Sequence, residues 1–194
     1  MEADWEVEIG PEAPIIEALW PGFVDLRRTP ERIGEIAEAG QFLALAEALL
    51  RINKSGSQIW TSKCDLWTPD PRLKQWDQDE MDATTAESAV ALACYIDLLP
   101  QDASLFVGLA EAEAWVRATI RRLHEAVCRC CRADLVIRRA FQADREGLGI
   151  TVYATACGAD SETAEKSLSG ALTALGEAIS ATANSASKIG GALQ

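Results

Sequence analysis

Eight arginines, Arg117, Arg121, Arg122, Arg129, Arg132, Arg138, Arg139 and Arg145, crowd residues 117–145 against only Glu125, Asp134 and Asp144. Guanidinium groups at that density can bind carboxylate or phosphate, because their planar fork of donors matches two oxygens of an anion. Arg138 and Arg139 are consecutive in a predicted strand, so they point to opposite faces and one of them is aimed at the core or at a cleft. A buried arginine needs a carboxylate, which Asp65, Asp97 or Asp134 could supply as a purely structural ion pair. Arg117 and Arg121 share a helical face with Glu113, the pattern of a solvated surface. Arg138, Arg139 and Arg121 are the candidate anion-binding residues.

The same segment holds the only histidine and three of the six cysteines, as H-x3-C-x-C-C from His124 through Cys128 to Cys130 and Cys131. His124 and Cys128 stand four apart, as a chelating pair on one helix face would, and thiolate with imidazole suits zinc. Cys130 or Cys131 is the third ligand, and the fourth would come from Cys64, Cys94, Cys157 or water. The spacing matches no standard zinc knuckle, and the plainer reading is a set of free, buried thiols with no cofactor. Cys157 stands where a strand should meet the last helix (TACGADSETA), so the helix end could lower its pKa and nearby amides could hold an oxyanion. His124 is the only imidazole that could serve it as a base. The competing reading is a strand-to-helix turn in which Gly158 relieves strain and Asp160 or Ser161 caps.

Asp77, Asp79, Glu80 and Asp82 begin like a calcium loop but lack its sixth-position glycine and twelfth-position glutamate. Trp5, Trp20, Trp60, Trp67, Trp76 and Trp115 read as core, unless one is left on a surface as a partner patch. There is no phosphate-cradling G-x-x-x-x-G-K[ST], no G-x-S-x-G, no H-E-x-x-H and no paired C-x-x-C.

The elements that must position these residues follow from periodicity and punctuation. Trp5, Val7 and Ile9 alternate with acids as in a half-buried strand that Gly10 and Pro11 end. A short second strand is expected among Trp20, Phe23, Val24 and Leu26. Thr29 before Pro30 and Glu31 marks a helix start, with Gly40 interrupting a pattern that runs to Ile52. Ser57 to Trp67 reads as a central strand, apolar on both faces. Thr68 to Asp82 reads as a loop, in which Trp76 either plugs the fold or meets a partner. Helical spacing covers Thr84 to Leu99, and again Leu105 to Val127. Leu135 to Phe141 and Leu148 to Ala156 make a hairpin around QADREG, and a last helix starts near Asp160 or Ser161.

Together these give an α+β protein: a mixed or antiparallel sheet of about four strands with four to five helices packed against it. It forms a single domain over residues 1–182 with a small-residue tail at 183–194. The charge of −12 and pI near 4.5 argue against broad nucleic-acid or anionic-membrane binding. Acids at the start, where a secretory signal would carry basic residues, and apolar runs too short to span a bilayer point to a cytoplasmic protein with reduced thiols. The leading expectation is a non-catalytic protein that recognises a small anionic ligand or a protein partner through the arginine-bearing hairpin and adjacent helix, with a homodimer left open. The rival is a small thiol- or metal-dependent enzyme using Cys157, His124 and Cys128. A third reading is an acidic inhibitor or immunity-like protein for a basic partner, which places the site among carboxylates.

Overall fold

The computed structural model describes residues 1–70, 76–101, 106, 108–142 and 145–190, with side chains through 182. Its strands are β1 (Glu2–Glu8), β2 (Ile16–Glu17), β3 (Ile59–Trp67), β4 (Val90–Pro100), β5 (Cys131–Gln142) and β6 (Arg145–Gly158). The α-helices are α1 (Ala37–Gln41), α2 (Leu43–Ile52), α3 (Leu109–His124) and α4 (Ser161–Gly190). The fold is α+β as expected, but the mixed sheet has six strands. Its order is β1-β5-β6-β4-β3, with β2 continuing the β1 edge along β5. β1 and β2 run parallel to β5, and every other pairing is antiparallel. Two hairpins, β3-β4 and β5-β6, thus meet along their second strands, and each precedes a helix.

Alternation divides the sheet cleanly. Leu135, Ile137, Ile150, Val152, Ala154, Ile96 and Leu98 face the helices and join Leu168, Leu172, Leu175, Val116 and Leu49 in one core. α4 lies over the middle of the sheet between α2 and α3, all on that face. Among the described residues the other face carries no α-helix, only the short 3-10 turns Asp79–Met81 and Thr85–Glu87. A small cap of Ile16, Ala18 and Phe23 over Trp60, Leu99 and Ala140 covers one end, and Trp76, Met81 and Ala83 over Ala91 and Cys157 cover the other.

Several expectations are corrected. Thr84 to Leu99 is not a helix: Val90–Pro100 is the inner strand β4, whose continuous apolar run reads alike as buried strand or buried helix. β3 is an edge strand. Its two apolar faces reflect helices on one side and the Phe23 cap on the other, and a bulge between Thr61 and Cys64 switches the parity of its side chains. Ile16–Glu17, not the Trp20 to Leu26 segment, forms the second strand. Trp20 and Phe23 instead stack edge-on with Trp60 beneath. The Thr29 hydroxyl donates to the Asp25 carbonyl and caps nothing. From Pro30 the chain makes a 3-10 turn, then α1 and α2, broken at Ile36 and Phe42, which turn extended to pack on the core, and not at Gly40.

Other readings hold with shifted ends. α3 stops at His124, leaving Val127 fully exposed, while Leu105 lies outside the described residues. The hairpin is longer than read, closing at the Gln142–Arg145 pair around residues 143 and 144, which are outside the described set. α4 begins at Ser161 under an Asp160 cap, whose carboxylate accepts the Thr163 N–H at 2.9 Å, and its backbone continues helically past Thr182 to Gly190.

Candidate functional site

The sequence-derived candidates do not converge. Arg138 points to the uncovered face, where it is 8% exposed and its Nη2 donates to the Glu8 carboxylate at 2.7 Å. Its Nε is buried without an acceptor among the described residues. Arg139 points to the opposite side and is held by Glu146. Arg121 is exposed in the last turn of α3. The expectation that Arg138 and Arg139 take opposite faces holds, but its partner is Glu8, not Asp65, Asp97 or Asp134.

His124 and Cys128 do not share a helix face, because α3 ends at His124. The imidazole Nε2 sits 2.9 Å from the Ala3 carbonyl at the β1 edge. The Cys128 thiol packs on the helix side, whereas Cys130, at φ 57°, packs against Cys157 on the other side of the sheet, its carbonyl accepting the Cys157 N–H at 2.8 Å. Among the described residues no three His, Cys, Asp or Glu side chains converge as a metal site.

Cys157 is fully buried, and burial together with Cys130 pushes its thiol up to about 11. A nucleophilic thiol needs a depressed pKa and a base within reach, and His124 lies two strands away. Beside it Gly158 is required: a Cβ there would collide with the Ala164 nitrogen and the Thr163 hydroxyl. The turn reading, with Gly158 relieving crowding and Asp160 capping, matches this geometry. In the acidic loop, Glu80 reaches Arg132 and Asp82 reaches Arg129, and Trp76 folds back into the fold as a plug.

What the fold does assemble is the uncovered sheet face. Register places Asp65, Tyr95, Tyr153, Asp134 and Asp4 in one line across five strands. The ring centroids of Trp67 and Tyr95 are 6.4 Å apart, and those of Tyr95 and Tyr153 are 6.1 Å apart. On one side of this ridge run Trp67, Ala93, Thr155, Arg132 and Glu2, and on the other Asp97, Thr151, Val136 and Glu6.

Arg132 is neutralised by Asp134 and Glu80, and the Arg138 guanidinium lies 5.6 Å from the Tyr153 ring. Asp97 is 7% exposed and accepts the Thr151 hydroxyl at 2.7 Å. Burial holds its carboxyl above the usual range, opposed by Thr151, Arg138 and Lys63. Burial, then Asp97 and Asp65, pushes the Tyr95 phenol up to about 12. A cleft of about 240 Å³ opens beside Tyr95 at the β3 bulge, lined by Trp20, Glu38, Lys63 and Cys64.

The edges of the sheet are guarded. The Asp4 carboxylate accepts the Trp5 N–H and that of Asp65 accepts the Leu66 N–H, each at 2.7 Å, so both edge strands tie down an amide that another strand could have used. His124 occupies the Ala3 carbonyl on the β1 edge. On the face, Glu2, Asp4, Glu6 and Asp65 are exposed, whereas Val136, Thr151 and Asp97 between them are buried.

Sequence reasoning missed Tyr95 because its strand reads as a helix. It missed the Tyr95–Tyr153 line because register between hairpins is not written in either strand. The alternation of acids in β1 was the one visible signal. Compared with known families, curated proteins and solved structures, the chain matches none, so the chemistry of this face stands on its geometry.

Proposed function

We propose that the chain is a non-catalytic binding protein whose uncovered sheet face receives a basic protein partner, in the manner of an acidic inhibitor or immunity-like protein. The observation that carries this reading is the composition of the face: Glu2, Asp4, Glu6, Glu8, Asp65, Asp97 and Asp134 project from its strands, while Arg132 and Arg138 are already paired. Glu2 and Glu6 are exposed and have no ion pair among the described residues. Complementary charge speeds encounter and suppresses wrong partners, and the aromatic row supplies the kind of side chain that anchors interfaces. The expected reading through Arg138, Arg139 and Arg121 receives less support, since the three lie on different surfaces and two hold carboxylates of this chain.

The test is a fluorescence-anisotropy titration with a labelled nonapeptide bearing arginine at alternate positions. Glu2→Lys with Glu6→Lys on the face should weaken binding about ten-fold, in a salt-sensitive way. Glu47→Lys with Glu165→Lys, exposed on the helix layer, changes net charge equally and should weaken it less than about two-fold. Equal losses from both pairs would reduce the interaction to bulk charge and end the proposal.

A further inference from the structure

Four arginines of this chain repeat one arrangement. Arg27 lies 3.9 Å from the Trp60 ring centroid and pairs with Asp25 at 2.7 Å. Arg117 lies 4.4 Å from Trp5 and pairs with Glu113 at 3.7 Å. Arg138 lies over Tyr153 with Glu8, and Arg139 near Phe141 with Glu146. Each guanidinium is held between the negative face of a ring and a carboxylate, the two groups that together best satisfy a weakly hydrated planar cation.

Trp67, Tyr95 and Asp65 present the same two halves on the uncovered face. Asp65 is exposed and stands directly across from Tyr95, with Trp67 two residues along the same strand. Both rings are partly exposed, and no arginine or lysine of the described residues lies over either of them. The bulge puts Asp65 and Trp67 on this face, because without the parity switch both would point toward the helices.

We infer that Asp65, Trp67 and Tyr95 form a seat for one arginine side chain of the basic partner, its guanidinium stacked against Trp67 or Tyr95 and paired with Asp65. This rests on the reading of the face as a receptor for a basic protein and names the contact that would anchor it. Charge complementarity and the ring geometry favour a guanidinium over an anion or an apolar side chain.

The same arginine nonapeptide tests it, with circular dichroism and melting temperature recorded for every variant. Asp65→Asn keeps an acceptor for the Leu66 N–H while removing the charge, and should weaken binding about five-fold. Trp67→Leu should weaken it about three-fold, while Trp67→Phe and Tyr95→Phe, which retain rings, stay within about two-fold of the parent. Replacing the peptide's arginines by citrulline should abolish binding, and the δ-methylene protons of one bound arginine should move upfield in the NMR spectrum. If Asp65→Asn and Trp67→Leu bind like the parent while the Glu2 and Glu6 reversals still fail, the seat is wrong and the receptor face survives. If none of these variants differs from the parent, both fall.

Discussion

Asp97 is the residue on which the uncovered face spends stability. Its folded-state carboxyl is raised by burial, so the folded chain keeps a proton that the unfolded chain loses near pH 3.8. The associated stability is present below that pH and is lost as pH rises through the folded value. Asp97→Asn cannot ionise and should accept the Thr151 hydroxyl as before. The variant is expected to be more stable than the parent at pH 7, by on the order of 1 kcal/mol or about 3 °C in melting temperature, with the gap closing toward pH 4. Thermal melts across that range check it; a less stable variant at pH 7 would mean that Arg138 and Lys63 make the charge net favourable. At this scale the sequence disclosed that Arg138 and Arg139 must diverge, since consecutive strand residues always do. It hid Tyr95, which sits within an unbroken apolar run that carries no period of two.

At the scale of elements, what was legible was whatever punctuation or periodicity enforces locally. β1 shows its alternation of acids, the β5-β6 hairpin is bounded by turn residues, and α4 starts where Asp160 can cap it. β4 was illegible because burial on both faces erases the alternation that marks a strand. The place of β3 in the sheet was illegible because an edge strand covered by helices on one face and by the Phe23 cap on the other resembles a central one. The two edges make a prediction of their own. Asp4→Ala with Asp65→Ala frees the Trp5 and Leu66 amides and removes two edge charges. The double variant should sediment faster than the parent at high concentration in analytical ultracentrifugation, through edge-to-edge pairing. Unchanged sedimentation would show that the remaining acids and the His124 contact protect the edges alone.

For the whole molecule, the charge of −12 is spread over a body whose arginines are largely tied to its own carboxylates. Uncompensated like charge opposes compaction, and screening relieves it. Melting temperature should therefore rise by about 2–4 °C between low and physiological salt in calorimetry, whereas a fall would assign the larger effect to the ion pairs. No described helix is long and apolar enough to cross a membrane.

The parallel pairing of β1 with β5 bears on how the chain is made. β1 is synthesised before the other five strands, yet its sheet partner among the described residues is β5, and the Glu8–Arg138 hydrogen bond between them joins residues 130 positions apart. The two hairpins can close as their strands emerge, but β1 has to wait unpaired until β5 has been made. Its alternate acids then serve a second purpose: they keep a waiting strand soluble, and Arg138 supplies the charge that ends the wait.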